Sequence, residues 1–323
     1  GVQTCALPIW PVPELAERVA ALPYDVMSSD EAREMVADNP YSFLHVDKAE
    51  IDLDPSIDLY DSQVYEKARE NLQGMISKGI LREDDEPTLY IYRQVMGERA
   101  QTGIVACASI DDYLNDVIKK HELTRADKER DRTRHVDYCD ANTGPIFLTY
   151  PASVEINSIV ARWVQQKPVY NFTAEDGIGH MVWIIQDADD VQELVSLFAG
   201  INGLYIADGH HRSASAARVG QMRRQANPDY SGEEEFNFFL AVIFPDQDLH
   251  IMDYNRVVQD LNGLSGSEFM DRLAESFSIR NHTGTEPYRP IHKHQFGMYW
   301  AGQWYVLEAR EGSFKAEDPE IGR

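Results

Sequence analysis

The stretch LYIADGHHRSASAARV, residues 204–219, limits the possible folds of this chain more than any other segment. Its apolar beginning predicts a buried strand that ends at Asp208. Gly209 follows, and a residue without a Cβ lets the backbone turn sharply and come close to a ligand. The small side chains of residues 213–217 predict a thin helix that packs close to a sheet. The turn between strand and helix carries four polar side chains, those of Asp208, His210, His211 and Arg212.

The rest of the chain mixes helices and strands without a regular βαβ rhythm, which predicts an α+β fold with mixed sheets and peripheral helices. Ser28 and Glu31 have the spacing of a capping box, which indicates where one helix begins. Further helices are predicted over residues 60–78, from about Ala126, and over 153–167, 188–199 and 265–277. The predicted strand pairs are TLYIYRQV with TGIVACASI, FNFFLAVIF with HIMDYNRVV, and FGMYWAG with QWYVLE.

The composition predicts a soluble protein of the cytoplasm. Hydrophobic residues make up 43% and charged residues 26% of the chain, as in ordinary globular proteins. No apolar run approaches the roughly 20 residues that cross a bilayer, so we expect no membrane partner. The 3 cysteines form no CxxC pair and cannot build a disulfide framework, which favours a reducing compartment.

The charge balance excludes one large class of partners. The chain has 54 acidic and 30 basic residues, a net charge of -24. Proteins that hold duplex nucleic acid must neutralise several phosphates with lysine and arginine. We therefore expect no nucleic-acid partner, although a local basic pocket for one nucleotide remains compatible with this composition.

The two ends of the chain look unlike the rest. Residues 1–9, GVQTCALPI, have no periodicity and resemble a peptide translated from a sequencing adapter. The tail EDPEIGR, residues 317–323, breaks off after a predicted hairpin, and we expect residues 319–323 to have the same origin. We expect both segments to be non-native; ordinary frayed termini fit the pattern equally well.

The turn at residues 208–212 has the features of an anion site. The first backbone N–H groups of a helix lack intrahelical partners and lie at its positive dipole end, so they attract anions. Arg212 adds a planar fork of donors suited to phosphate oxygens. Asp208 is placed to hold a metal ion or to orient a histidine. A purely structural turn is the alternative, while a zinc site is disfavoured because no HExxH or cysteine pair accompanies the histidines.

A second polar cluster, KKHELTR, occupies residues 119–125. Glu122 is flanked by His121, two lysines and Arg125, so it should stay ionised and accept a proton from a substrate hydroxyl. The alternative is a solvated loop in which Thr124 caps the next helix. Arg125, Arg132 and Arg134 are candidates for a local phosphate pocket, but the latter two are better explained by pairing with Asp127, Asp131 and Asp137 along a charged helix.

Residues 140–145, DANTGP, form a helix stop and a turn. Asn142 and Thr143 are also candidates to hydrogen-bond a small polar ligand.

These motifs resemble two known groups of proteins. A strand ending in Asp-Gly-His-His-Arg and followed by a helix resembles the signature of the free-serine kinases of the ParB/sulfiredoxin superfamily. Those enzymes have an upstream His-Glu pair whose glutamate is the base, and here His121-Glu122 precedes the turn. LPYDVMSSDEAREM, NPYSFLHV, ANTGPIFLTY and DYNRVV also resemble a widespread microbial family known as a domain of unknown function, numbered 1015, some of whose members are ATP-dependent serine kinases.

The resemblance implies one kinase-like domain over residues 10–318, with a ParB/sulfiredoxin-like nucleotide-binding core at about 104–245. Members of the family are usually longer at the C-terminus, which agrees with a truncated chain here. Sulfiredoxins have cysteine where this chain has His210, which argues against peroxiredoxin repair. The spacing from Glu122 to Asp208 is longer than in compact archaeal kinases, so an insertion must lie between them.

The resulting hypothesis is phosphoryl transfer from ATP or ADP to L-serine, with Mg²⁺ as cofactor. Glu122 would take the proton with His121 beside it, and Asp208 would hold Mg²⁺. Gly209, His210, His211, Arg212 and Arg125 would bind the phosphates, and Asn142 and Thr143 the serine. Two alternatives stay open: a non-catalytic nucleotide switch like the CTP-binding domain of ParB proteins, and a metal-dependent hydrolase built on the three histidines.

Overall fold

The structure is a computed structural model in which residues 2–4, 8–253 and 255–314 are described. The chain divides into two compact units, residues 1–250 and residues 251–323. The sequence suggests one domain over 10–318, whereas the division falls after residue 250. The predicted non-native tail, residues 319–323, lies outside the described residues.

The strands are short to medium in length and follow one another in this order: β1 Val2–Gln3, β2 Ile9–Pro11, β3 Leu81–Glu83, β4 Tyr90–Met96, β5 Arg99–Ser109, β6 Ile118–Lys119, β7 Ile146–Tyr150, β8 Tyr170–Thr173, β9 Gly179–Ile184, β10 Leu204–Asp208, β11 Phe238–Pro245, β12 Phe277–Asn281, β13 Gln295–Trp300 and β14 Gln303–Ala309.

The helices lie between these strands: α1 Ala16–Val19, α2 Ser29–Val36, α3 Leu44–Asp47, α4 Ser62–Ser77, α5 Ile110–Leu114, α6 Ala126–Cys139, α7 Val154–Trp163, α8 Ala188–Ala199, α9 His210–Ala226 and α10 Gly266–Ser276. The predicted capping box is confirmed, because the Ser28 side chain accepts from the Glu31 N–H and the Glu31 side chain accepts from the Ser28 N–H. Among the described residues, no helix is long and apolar enough to cross a membrane.

A large mixed sheet organises the first unit. Among the described residues it has 9 strands, with β6-β10-β7-β11-β5-β4-β9-β8 in spatial order and β1 beside β5. The pairs β6–β10 and β11–β7 are parallel, and the other neighbours are antiparallel. The predicted α+β class is therefore confirmed: a large mixed sheet with peripheral helices.

One face of this sheet carries the main core. Strand side chains such as Ile104, Leu148 and Ile243 form one buried cluster with side chains of α5, α7, α8 and α9. Helix α9 fits close to the sheet because residues 213–217 are small and buried, as the sequence predicts. Gly220 continues this surface, since a Cβ there would collide with the Ile110 side chain and the Phe236 carbonyl.

A second core lies among the N-terminal helices. Buried side chains of α1, α3 and α4, with Cys139 at the end of α6, form it. A polar network accompanies this core: Tyr65 donates to Asp131 (2.8 Å), and Arg132 donates to the same carboxylate (3.0 Å). Helix α6 thereby connects the N-terminal helices to α9, where the Ser215 hydroxyl donates to the Glu129 carbonyl at 3.1 Å.

The second unit is a small α+β arrangement. Its three-stranded antiparallel sheet has the order β12-β14-β13. The predicted hairpin of FGMYWAG and QWYVLE is confirmed as β13 and β14, and α10 precedes β12.

The predicted strand HIMDYNRVV is wrong. The described residues of 250–258 have no strand conformation, and Ile251 and Val257 are almost fully exposed, at 93% and 96%. The alternation of apolar residues there suggested a strand, but among the described residues no neighbouring strand supplies the backbone hydrogen bonds that a strand requires. The hairpin of TLYIYRQV and TGIVACASI is confirmed as β4 and β5.

Within residues 1–9, predicted to be non-native, the structure pairs β1 with the central sheet. Val2 lies opposite Ala108 and Gln3 opposite Cys107, in antiparallel register. Val2 is buried in the main core, at 5% exposure.

The buried histidine of α6 makes stability dependent on pH. Burial, and next the charge of Arg132, lower the pKa of His135, whose Nε2 donates to the Val46 carbonyl at 3.0 Å. In the unfolded chain the histidine has a pKa of about 6.5 and binds a proton below that pH. The folded chain binds this proton less readily, because the pKa of His135 is lowered there. The free energy of unfolding therefore falls as the pH drops.

We expect His135→Gln to weaken this dependence, because glutamine keeps an N–H donor for Val46 and cannot titrate. Urea unfolding at pH 7 and pH 5 measures the change. The matched control is His292→Gln, which alters an exposed histidine of the second unit. Identical pH dependence in the wild type and in His135→Gln would show that His135 does not carry the effect.

Candidate active site

The sheet topology brings the two predicted clusters together. Strand β10 pairs with β6 in parallel, with Leu204 opposite Ile118 and Tyr205 opposite Lys119. Both strands therefore end at the same edge of the sheet. There β6 is followed by the 120–125 loop, and β10 is followed by the 208–212 turn. Segments that are 86 residues apart in sequence meet there, as the hydrogen bond between Arg125 and His211 shows.

Gly209 forms the turn at the head of α9. Its φ of 91° is in the left-handed region, which a side chain disfavours. As the N-cap residue it offers no side chain to the first N–H groups of the helix, and no side-chain cap bond forms there. These N–H groups, those of residues 210–212, are the donors that an anion at a helix N-terminus binds.

Arg212 is held against this turn from two sides. Its Nη2 donates to the Asp208 carboxylate at 2.8 Å, and its Nη1 donates to the Pro145 carbonyl. Within the described structure these bonds use two of the five N–H groups of the guanidinium, so others remain for a ligand. The guanidinium is thereby fixed beside the helix N-terminus.

His210 faces the 120s loop. Its side chain is 5% exposed, its Nδ1 lies 3.4 Å from Glu122 Oε2, and the His121 ring stands perpendicular to it at 4.4 Å between centroids. Burial, and next the charge of His121, lower the pKa of His210, so its imidazole is neutral near pH 7. The Glu122 side chain is 63% exposed and accessible to a substrate.

His211 turns in a different direction from its neighbour. Its Nε2 accepts a hydrogen bond from the Arg125 N–H at 3.1 Å. The Arg125 guanidinium instead donates to Asp127, through Nη2 at 2.7 Å and Nε at 3.2 Å. The structure thus brings the backbone of Arg125, rather than its charge, to the turn.

Asp208 is the residue proposed to hold a metal ion. Its carboxylate is 71% exposed and bonds Arg212 through Oδ2. Mg²⁺ is typically held by one or two carboxylates together with substrate phosphates and water, so a single aspartate beside an uncapped helix N-terminus is compatible with this ion. In residues 2–4, 8–253 and 255–314 no three histidine, cysteine or acidic side chains converge as metal ligands. His121, His210 and His211, on which the hydrolase interpretation depends, are not such a group.

The predicted ligand-binding turn at residues 140–145 lies on the other side of Arg212. Thr143 donates to the Asp47 carboxylate at 2.7 Å, so its hydroxyl can only accept from a ligand. Gly144 lies close to Arg212: a Cβ at this position would be 3.6 Å from Arg212 Nη1. Asn142 is half-buried in the same turn.

Two residues near the site were not found from sequence. Tyr24 stacks under Arg132, whose guanidinium carbon is 4.1 Å from the ring centroid. Burial raises the pKa of Tyr24, while the charges of Arg132 and, more weakly, Arg212 lower it. Asp47 anchors Thr143. In the sequence, Tyr24 lies in LPYD and Asp47 in NPYSFLHVD. Neither segment indicates that its residue lies near Arg212.

Arg132 and Arg134 have separate partners. Arg132 pairs with Asp131, so its predicted pairing with an aspartate of its own helix is confirmed. Arg134 donates to the Tyr60 carbonyl at 2.6 Å and lies over the Tyr65 ring, so its predicted pairing with an aspartate of its own helix is wrong. Its guanidinium reaches α4 across the helix interface instead.

Comparison with known families identifies the chain at the family level. The family described as "Protein of unknown function (DUF1015)" matches residues 9–321, nearly the whole length. The chain belongs to the DUF1015 family. No curated protein matches it, and no solved structure matches it. The predicted resemblance to the family numbered 1015 is therefore confirmed, and the site described above belongs to a DUF1015 protein.

If the 209–212 turn of this DUF1015 protein binds the phosphates of a nucleotide, Gly209→Ala should weaken that binding. A Cβ at Gly209 would lie 3.2 Å from Nη2 and 3.3 Å from Nε of Arg212, and the left-handed φ itself costs about 1–2 kcal/mol for a residue with a side chain. We expect an affinity loss of about 10-fold as the guanidinium moves, because a displaced charge-assisted donor forfeits roughly 1.5 kcal/mol or more. Isothermal titration calorimetry measures it.

Gly177→Ala is the matched control. Gly177 also has a left-handed φ, 81°, and no atom lies within 4 Å of the position a Cβ would take. Both variants should lose similar stability, and only Gly209→Ala should lose affinity. Equal nucleotide affinity in the two variants would contradict the role of the 209–212 turn.

Proposed function

We propose that this protein transfers a phosphoryl group from ATP or ADP to the hydroxyl of free L-serine, giving O-phosphoserine. The observation that carries the proposal is the position of Glu122, 3.4 Å from His210 in the first turn of α9. A carboxylate able to accept a proton thereby stands beside a phosphate-binding turn. The serine acceptor and a ParB/sulfiredoxin-like core at about 104–245 are taken from the resemblance to the free-serine kinases.

Each part of the reaction has a candidate group. The serine oxygen bonds to the terminal phosphorus, the bond from that phosphorus to the bridging oxygen breaks, and Glu122 takes the hydroxyl proton. The N–H groups of residues 210–212 and the Arg212 guanidinium hold the phosphates, and their fixed positions stabilise developing charge without reorganisation. Asp208 would hold Mg²⁺, which neutralises phosphate charge.

The neighbouring residues have supporting roles in this proposal. The Arg125 N–H fixes the His211 ring so that its second nitrogen is available to a phosphate. Asn142 and Thr143 bind the serine; Thr143 takes part as an acceptor, because its own hydrogen is donated to Asp47. His121 packs against His210 and thereby limits the movement of the loop that carries Glu122.

The test is direct product detection. The full chain is incubated with Mg²⁺, ATP or ADP, and L-serine, and O-phosphoserine is measured by mass spectrometry together with nucleotide turnover. L-alanine, which lacks the hydroxyl, is the matched control. We expect phosphoserine and serine-dependent turnover. Nucleotide binding or hydrolysis that is unaffected by serine, without phosphoserine, would overturn the proposal in favour of the nucleotide-switch alternative.

A further inference from the structure

The two adjacent histidines of the turn have different surroundings. His210 is buried, with 5% exposure, whereas His211 is half-buried and bonds the Arg125 N–H. Sequence reasoning treats both as phosphate ligands, since both stand in the first turn of a helix. The geometry separates them.

We propose that His210 is a positioning residue for Glu122, which it orients through an N–H at Nδ1, and that His211 alone of the pair faces the phosphates. This inference rests on the proposed function in naming Glu122 as the base. The orientation itself is a statement about one contact, so it is testable without turnover.

The surroundings of the imidazole determine where its proton lies. A carboxylate only accepts hydrogen bonds, so an Nδ1 lone pair aimed at Glu122 from 3.4 Å would be repelled, whereas an Nδ1–H is attracted. Nε2 is buried and has no hydrogen-bond partner among the described residues. A proton on Nε2 would be an unsatisfied buried donor, which costs about 1–3 kcal/mol. The contact at Nδ1 and the lack of a described partner at Nε2 therefore both favour the tautomer with its proton on Nδ1.

The same burial argues against phosphate binding by His210. An anion would have to reach a side chain that is only 5% exposed, and its Nδ1 already lies 3.4 Å from Glu122 Oε2. A distance of 3.4 Å is long for a hydrogen bond. Hydrogen bonds of catalytic groups are often long without substrate and shorten when it binds. The 3.4 Å separation of His210 and Glu122 therefore fits an orienting hydrogen bond that shortens when substrate binds.

His211 has the complementary arrangement. Its Nε2 accepts from a backbone N–H, so the neutral ring carries its proton on Nδ1. That N–H is the donor available to a phosphate oxygen.

The first test is a long-range ¹H–¹⁵N NMR spectrum of the histidine side chains, which distinguishes the two neutral tautomers. His210, assigned with His210→Asn, is expected as the Nδ1–H form, and Glu122→Gln should shift its Nδ1 resonance. An Nε2–H form for His210, or a resonance unmoved by Glu122→Gln, would overturn the inference whether or not the protein is a kinase.

The second test compares two substitutions of His210. Asparagine places an N–H near the position of Nδ1, and glutamine places one near Nε2. We expect His210→Asn to keep kcat within about threefold and His210→Gln to lower it about 10- to 100-fold, with the nucleotide KM unchanged in both. The urea unfolding midpoints of both variants show whether a lower kcat results from a less stable fold.

His211→Gln is the matched control in the neighbouring position and should raise the nucleotide KM instead. Equal kcat in the asparagine and glutamine variants of His210, or a raised nucleotide KM in both, would contradict the positioning role. A wild type that forms no phosphoserine would defeat the proposed function, while the tautomer measurement would still decide the orientation.

Discussion

Glu122→Gln should lower kcat for phosphoserine formation by about 10²- to 10⁴-fold, the contribution of a general base. Glutamine has nearly the shape of glutamate but cannot take the hydroxyl proton. The side chain is 63% exposed, so the substitution should leave folding intact. Nucleotide affinity should stay within about threefold, because the phosphate donors at residues 209–212 are unchanged.

Single-turnover kinetics and calorimetry on the same preparation measure the two quantities. Glu193→Gln, which changes an exposed glutamate on α8, is the matched control and should behave as the wild type. Unchanged kcat in Glu122→Gln would remove the base from the mechanism. A parallel loss of nucleotide affinity would place Glu122 in binding instead.

Arg212→Ala should weaken nucleotide binding by about 10- to 100-fold, since charge-assisted hydrogen bonds contribute roughly 1.5–3 kcal/mol. The guanidinium is held in place by Asp208 and the Pro145 carbonyl, so little freedom is lost when a phosphate binds. Arg212→Lys should recover part of the affinity, because lysine keeps the charge but not the planar fork.

Arg212 also connects α9 to the turn at residues 140–145, through the Pro145 carbonyl. The control must therefore distinguish a loss of nucleotide affinity from a loss of stability. Arg224→Ala removes another arginine of α9, one that donates to Asp111 and Asn237. It should lower the urea unfolding midpoint and leave nucleotide affinity unchanged. If Arg212→Ala loses stability but binds nucleotide as the wild type does, Arg212 is a structural residue.

Local chemistry determines much of this fold, and those parts were predicted from sequence. The capping box at Ser28, the end of β10 at Asp208 and the small-residue surface of α9 are all set by residues close in sequence. The same holds for the β4–β5 and β13–β14 hairpins, whose partners are separated by short turns. In each case the deciding interactions lie within one or two elements.

The nonlocal part of the site could not be derived from the chain alone. Glu122 lies near His210 because β6 pairs in parallel with β10. The sequence of neither strand indicates that the other is its partner. The partners of Arg212 are a backbone carbonyl and an aspartate, and carbonyls have no sequence signature. The different directions of His210 and His211 depend on the 120–125 loop, so the pattern HH suggested one role for both.

The failed strand at residues 250–258 has a related cause. Alternating apolar residues predict a strand only if a neighbouring strand is available to receive its backbone hydrogen bonds. From Ile251 onward, the described part of this segment begins the second unit and has exposed apolar side chains instead.

The most direct test of phosphoryl transfer at this site is a crystal structure with a non-hydrolysable ATP analogue, Mg²⁺ and L-serine. We predict the phosphates against the N–H groups of residues 210–212 and Arg212, with the serine hydroxyl between the terminal phosphate and Glu122. A nucleotide bound elsewhere on the protein, with the turn at residues 208–212 free of phosphate, would contradict it.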